Sequence, residues 1–502
     1  MSTGRSAGAR PMRLGLLREG AALPSFKDEL WRTPDLLGFA AHWIWIWCVF
    51  WSSLFYGEGT LLDVFSGLAG PLALEPLWVV SLLANVVTIA FLLMLSYFRN
   101  PLADVRWLPH AGGALTAAGT LALSHPVLVA AGGAAAPVYL AGALVTGVGS
   151  AIVVVLWAEL FASLGSKRTV NYSVVALLIA AVAYFAIRLL PVDAAQLAVA
   201  LLPAASMGCF LHYKRSVPRL PRRERNVRVK ARPPLRLVTV ALFFGVSFGA
   251  MKGLMAPVES DWLAVRDLLN IAAIVGGSVA IFATMSWAKM DFDHLTYQVA
   301  LPLMAAGFLF LPLHEPWNVI GTAVHQAGYQ YFYIVLWALW PVLASRGVPA
   351  GWIAGWGLLS IQLGQFAGSI AAALAVNVVD TDLGMAMLSA GIIFAILIIA
   401  LFALGSGKAS TGWGYVKPME EADAATDFEK AGTRIARRCR LSPREIEVLF
   451  LLAKGRNRAY IREELVIGDE TVKSHVKSIY RKVDVHSQQD LIALIEAETR
   501  NA

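Results

Sequence analysis

The chain has 502 residues, of which 57% are hydrophobic and only 15% charged, with a formal net charge of +8. A soluble domain carries about a quarter charged residues, so most of this chain is excluded from being an ordinary water-soluble globule. Its three cysteines, Cys48 and Cys209 inside apolar runs and Cys439 among arginines, offer no disulfide or zinc spacing and are expected as reduced thiols.

Residues 1–35 are basic, with Arg5, Arg10, Arg13, Arg18, Lys27 and Arg32. They lead into a long aromatic segment without a small-residue cleavage site, which predicts a retained helix rather than a removed signal peptide. Apolar stretches near the roughly 20 residues needed to cross about 30 Å of hydrocarbon then recur. Twelve spans are expected. They are Leu36 to Phe55, Leu77 to Phe98, Pro109 to Ser124, Val138 to Leu164, Tyr172 to Leu190 and Ala194 to Tyr213. After a loop come Leu237 to Met255, Asp267 to Trp287, Leu295 to Leu313, Thr322 to Ser345, Trp352 to Val376 and Met385 to Leu404.

Lys and Arg accumulate on the cytoplasmic side of such spans, and the loops alternate in that sense. Gly57 to Pro76 holds Glu58, Asp63 and Glu75 without a basic residue, whereas Arg99 and Arg106, Lys167 and Arg168, Lys289, and Arg346 mark every second loop. Arg266, beside Glu259, Asp261 and Asp267, departs from the pattern. Both termini are therefore expected in the cytoplasm, the bundle crossing the inner membrane of a bacterium many times.

Between the sixth and seventh spans, residues 214–236 form a proline-broken basic loop with Lys214, Arg215, Arg219, Arg222, Arg223 and Arg225 among its cations. Anionic lipid attracts such a segment by about 1 kcal/mol per cation, which is the reading preferred over a nucleic-acid arm. Two sets of six spans around this loop, 36–213 and 237–404, resemble the major facilitator superfamily of transporters. The loop Asn100-Pro101-Leu102-Ala103-Asp104-Val105-Arg106 keeps Leu-Ala-Asp of that family's loop between the second and third spans, but lacks its glycines and terminal basic pair. That loss argues against transport.

Polar groups inside spans are expensive and mark candidate ligand sites. In the tenth span His325, Tyr329 and Tyr333 recur every four residues, with Gln326 and Gln330 beside them, so all lie in neighbouring sectors of one helix. A pocket for an aromatic or hydrogen-bonding molecule and an interhelical packing face are evenly matched readings. The facilitator resemblance, which places the first, fourth, seventh and tenth spans around the cavity, adds His42, Trp157, Glu159 and Lys252. Lys252 and Glu159 near span ends can instead snorkel, and Gln362 and Gln365 read as helix-helix glue. The sequence has no phosphate loop, nucleophile elbow or His-Glu-x-x-His, so no enzyme, cofactor or metal site is expected.

Composition changes at Gly405, where a Gly/Ser-rich and then acidic stretch to residue 434 reads as a linker. Helix signals follow. Ser442-Pro443-Arg444-Glu445 is a capping box with proline at the first helical position, and Ile446, Leu449, Phe450 and Ala453 give the buried face. Gly455 closes this helix; further helices are expected near 457–465, over 470–483, and from the Ser487-Gln488-Gln489-Asp490 cap. Over 470–483, Val472, Val476, Ile479 and Val483 form an apolar stripe opposite Lys473, Ser474, Lys477 and Arg481. Lysines can donate to guanine O6 and N7, hydroxyls can meet either base edge, and Arg481 with Lys482 suit phosphate.

The series Leu441-Ser442-Pro443-Arg444-Glu445, Gly455, Thr471-Val472-Lys473, His475, Ile479 and Lys482-Val483 resembles the helix-turn-helix domain of the LuxR/NarL family of transcription regulators. The resemblance implies a recognition helix in the major groove, with Lys473, Ser474 and Lys477 at base edges, Thr471 near a phosphate, and homodimerisation through the fourth helix on an inverted repeat. Gly468 replaces the usual hydroxyl cap and Glu470 stands where a basic residue is common. The sequence thus predicts an all-α chain: a twelve-helix bundle over 36–404, a linker over 405–434 and a four-helix DNA-reading domain over 435–502. The expected function is a membrane-bound one-component regulator that senses a small-molecule effector and binds double-stranded promoter DNA; the alternative is a secondary transporter with a regulatory tail.

Overall fold

The computed structural model describes residues 37–55, 76–98, 101–162, 164–216, 235–254, 262–288, 290–292, 294–345, 350–376, 382–405, 431–453, 455, 457–465 and 468–500. The basic N-terminal stretch, the acidic loop near 57–75, most of the basic loop, Arg99, Lys289, Arg346 and most of the linker lie outside these residues. Among the described residues every regular element is helical. The chain divides into two units, residues 1–284 with 293–412, and residues 413–502 with 285–292.

In the first unit a helix occupies each predicted apolar segment. They are α1 (Leu37–Phe50), α2 (Pro76–Phe98), α3 (Leu108–Ala122), α4 (Ala135–Phe161), α5 (Ser166–Arg188) and α6 (Val192–Ser216). The second set is α7 (Leu235–Leu254), α8 (Leu263–Ser286), α9 (Leu301–Phe308, preceded by a π-helical stretch His294–Ala300), α10 (Trp317–Ser345), α11 (Ala350–Val376) and α12 (Asp382–Gly405). Seven helices among the described residues are long and apolar enough to cross a membrane. The α10 helix has 29 residues but is too polar to be one of them, while α1 and α3, at 14 and 15 residues, are short.

Small residues set the helix spacing. Lipid tails are as apolar as leucine, so helices in a bilayer associate through close van der Waals packing, which small side chains permit. A Cβ built on Gly147 would lie 2.3 Å from the Ser81 carbonyl oxygen of α2, and one on Gly245 of α7 would lie 2.2 Å from the Ile361 carbonyl oxygen of α11. Between such contacts, side-chain hydrogen bonds join helices: Trp45 Nε1 donates to Thr120 Oγ1 at 2.8 Å and Trp157 Nε1 to Ser206 Oγ at 3.0 Å.

In the second unit, helical residues 431–438 precede α13 (Pro443–Ala453), α14 (Arg458–Leu465), α15 (Asp469–Val483) and α16 (Gln488–Arg500). The capping box has both of its bonds: Ser442 Oγ accepts from the Glu445 N–H at 3.3 Å, and Glu445 Oε2 accepts from the Ser442 N–H at 2.7 Å. Asn457 Oδ1 caps α14 through the Tyr460 N–H at 2.9 Å, and Ser487 Oγ caps α16 through the Asp490 N–H at 3.1 Å. Val448, Leu449, Ile461, Val472, Ile479 and Leu491 form a core with no exposed surface. That core reaches back to Ala431 and Ile435, within or beside the stretch read from sequence as linker.

Candidate DNA interface and intrabundle cavity

The apolar stripe of α15 fixes which of its residues face outward. Val472, Val476, Ile479 and Val483 are buried, so Thr471, Lys473, Ser474, Lys477 and Arg481 are turned out and exposed. Gly468 caps the helix without a side-chain bond, and Asp469 and Glu470 in the first turn complement the positive end of the helix dipole. The same carboxylates engage Lys473, whose Nζ lies 2.6 Å from Glu470 Oε1 and 3.4 Å from Asp469 Oδ2. The hydrogen bond to Glu470, with that to Asp469, raises the Lys473 pKa above the ordinary lysine value. Lys482 turns the other way. Its Nζ lies 2.7 and 2.9 Å from the two oxygens of the buried Glu445, which also accepts from Ser478 Oγ at 2.6 Å, so α13 and α15 are locked by one carboxylate. Lys482 thus pairs with Glu445 while its side chain remains 33% exposed.

In the bundle, α1, α2, α4, α10 and α11 line a partly open cavity of about 90 Å³. Of the residues expected to hold a ligand, His42, Tyr329 and Tyr333 line it. Trp157, Glu159, Lys252, His325, Gln326 and Gln330 do not. The reasons are local. Glu159 is buried, not snorkelling, and its carboxylate accepts from the backbone N–H groups of Leu102 and Ala103 at 3.0 and 2.8 Å, so it holds the loop between α2 and α3. Lys252 Nζ donates to the Phe50 carbonyl at 3.3 Å and sits 5.6 Å from the centroid of the Trp78 ring. His325 Nε2 pairs with Ser247 Oγ at 3.2 Å. Asn85, Gln362 and Gln365 line the cavity instead, and Gln365 Nε2 donates to the Tyr329 hydroxyl at 2.5 Å. Among the described residues no three His, Cys, Asp or Glu side chains gather as a metal site.

Residues 440–495 match the family described as bacterial regulatory proteins, luxR family. They form a LuxR-family helix-turn-helix domain. Over 59 residues the chain is 39% identical to the HTH-type transcriptional activator RamA of Corynebacterium glutamicum, covering 12% of this chain and 21% of that protein. Over 66 residues it is 38% identical to the uncharacterized response regulatory protein YgeK of Escherichia coli, covering 13% of this chain and 45% of that protein. The chain thus spans less than half the length of the curated relatives it matches. A bacterial homologue of the iron transporter ferroportin, solved in an outward-facing state, aligns with a TM-score of 0.50 at 11% identity over 74% of this chain and 96% of that one. At that identity the likeness shows the fold alone: the bundle has the helical fold of that membrane protein.

The LuxR-family domain carries a feature that its sequence did not announce. Helical residues 431–438 lie N-terminal to the matched region, yet Arg434 and Arg438 pair with Glu498 of α16 at 3.3 and 3.4 Å. The i, i+4 spacing of Ala431 and Ile435 was the available signal, masked by the polar residues around it. One expected result arises from the Lys473 clamp. Glu470→Gln in the LuxR-family domain should raise DNA affinity about threefold to tenfold at low salt, by removing a negative charge near phosphate and loosening Lys473. Titrations across salt concentration check it; an unchanged or weaker affinity rejects the clamp as a brake.

Proposed function

We propose that this protein is a membrane-bound, one-component transcriptional regulator whose bundle receives a small molecule and whose LuxR-family domain binds promoter DNA. The observation that carries the reading is the outward face of α15, with Thr471, Lys473, Ser474, Lys477 and Arg481 exposed, in a chain that also contains a bundle with an internal cavity. Lys473, Ser474 and Lys477 read base edges, Thr471 and Arg481 hold phosphate, and Lys482 supports the recognition helix through Glu445. Two copies meet through α16 on an inverted repeat. Residues 1–35, 214–236 and 405–502 lie in the cytoplasm, and the segments 36–213 and 237–404 cross the bacterial cytoplasmic membrane. A ligand acts by binding one bundle conformation more tightly than another, and its effect is bounded by that difference.

The test uses the intact chain with a transcriptional reporter and a promoter-binding assay. Compounds that enter the cavity should change reporter output, and Lys477→Ala should relax base preference at a cost of about 1 to 3 kcal/mol. Loss of affinity equal on all sequences would move Lys477 to phosphate contact, and a reporter flat across compounds would sink the sensor reading. The second reading, a secondary transporter with a regulatory tail, draws on the transporter-like fold of the bundle; accumulation of a compound inside proteoliposomes would favour it.

A further inference from the structure

The lining of the bundle cavity narrows the chemistry of what it takes. Aromatic rings dominate it. The His42 and Trp45 rings stack at 5.9 Å and 15°, Trp43 meets Tyr333 edge-on at 5.6 Å and 87°, and Tyr329 packs on Phe248 at 4.1 Å. None of the sixteen lining residues is Asp, Glu, Lys or Arg. An ion entering such a space would lose its hydration without meeting an opposite charge, at a cost of several kcal/mol. Lys252 does not line the cavity, although its Nζ donates to the carbonyl of the lining Phe50 at 3.3 Å and lies 5.6 Å from the centroid of the lining Trp78 ring.

Three lining residues hold buried polar atoms with no hydrogen-bond partner among the described residues: Trp43 Nε1, His42 Nε2 and Asn85 Oδ1. Their roles differ. Trp43 Nε1 can only donate. The Asn85 amide nitrogen donates to Ser150 Oγ at 3.1 Å and to the Gly147 carbonyl at 3.4 Å, which leaves Oδ1 as an acceptor. Buried polar groups without partners are costly, and a ligand that supplies the missing acceptor and donor recovers that cost as affinity.

We propose that the cavity binds a neutral, planar aromatic molecule bearing both a hydrogen-bond acceptor and a donor, of the chemistry of an aromatic carboxamide. This rests on the bundle being the receiving site of the proposed regulator. The ligand ring lies among Trp43, Trp45 and Tyr333, its acceptor meets Trp43 Nε1, and its donor meets Asn85 Oδ1.

A matched set of probes tests it on the full-length protein in lipid nanodiscs by calorimetry. Benzamide is neutral and aromatic; benzoate and benzamidinium keep the ring but add charge, and cyclohexanecarboxamide keeps the amide but loses the ring. Benzamide should bind at least about tenfold more tightly than each of the other three. Trp43→Phe, which keeps a ring but removes the indole donor, should weaken benzamide about threefold to tenfold in protein that remains folded. Equal or tighter binding of benzoate, benzamidinium or cyclohexanecarboxamide overturns the ligand class, as does benzamide binding untouched by Trp43→Phe. If none of the four binds, the ligand class falls; a reporter that then answers other compounds leaves the sensor reading standing, and a reporter flat to all compounds removes both.

Discussion

Replacing Glu445 by glutamine is expected to destabilise the LuxR-family domain by about 2 to 3 kcal/mol and to weaken DNA binding with it. The Glu445 carboxylate is 5% exposed and accepts from Ser442, Ser478 and Lys482, so it ties the start of α13 to the last turns of α15. Glutamine keeps the shape but leaves the partly exposed Lys482 ammonium without its counter-charge, and it replaces a buried carboxylate that accepts three charge-assisted hydrogen bonds by a neutral amide. Burial pushes the carboxyl up, yet the hydrogen bonds from Lys482, Ser478 and Ser442 outweigh it and hold its pKa at about 2 against an ordinary 4.5.

Because the folded value is the lower one, the stabilisation is fully present above pH 4.5 and is lost as pH falls towards 2. That depression corresponds to about 3 kcal/mol. Denaturant unfolding of residues 430–502, chosen to retain Ala431 in the core, should show stability falling across this window, and the Glu445→Gln protein should lack that part of the fall. Parallel pH profiles for the two proteins would remove Glu445 from the account.

The DNA-reading domain was legible because its signals are local. A Ser-Pro-x-Glu cap, a stop at Gly455 and a stripe of Val472, Val476, Ile479 and Val483 each state which way a helix faces, and the core follows. The place of Lys482 was not legible, since a basic residue in the last turn of a helix reads as solvated or phosphate-facing until a carboxylate from another helix meets it. In the bundle the apolar segments located the helices, whereas their facing was hidden. The α2 and α11 helices are apolar around most of their circumference, so no stripe shows that Asn85, Gln362 and Gln365 turn to a common cavity. Spacing placed His325 with Tyr329 and Tyr333, but one helix face can serve two neighbours: His325 meets Ser247 of α7, while the tyrosines line the cavity with α1 and α11.

The other large effect is expected from a single methyl group. A Cβ on Gly249 of α7 would lie 2.0 Å from the Gln365 carbonyl oxygen of α11, and the reciprocal positions Gly364 and Gly368 would place theirs 2.2 Å from the carbonyl oxygens of Leu242 and Val246. These obstacles are backbone atoms, which cannot swing aside as a flexible side chain can, so the helices must separate. Overpacking of this kind costs about 1 to 3 kcal/mol. The damage falls on the cavity as well, because Gln365 anchors the Tyr329 hydroxyl and Phe248, next to Gly249, packs on the Tyr329 ring. Gly249→Ala should therefore lower the thermal stability of the intact protein in detergent and blunt the reporter's response to effector. Gly276→Ala on α8, where a Cβ would meet nothing within 4 Å, should do neither. If the two variants behave alike, α7 and α11 do not approach backbone to backbone, and the glycines are not what holds Tyr329 in place.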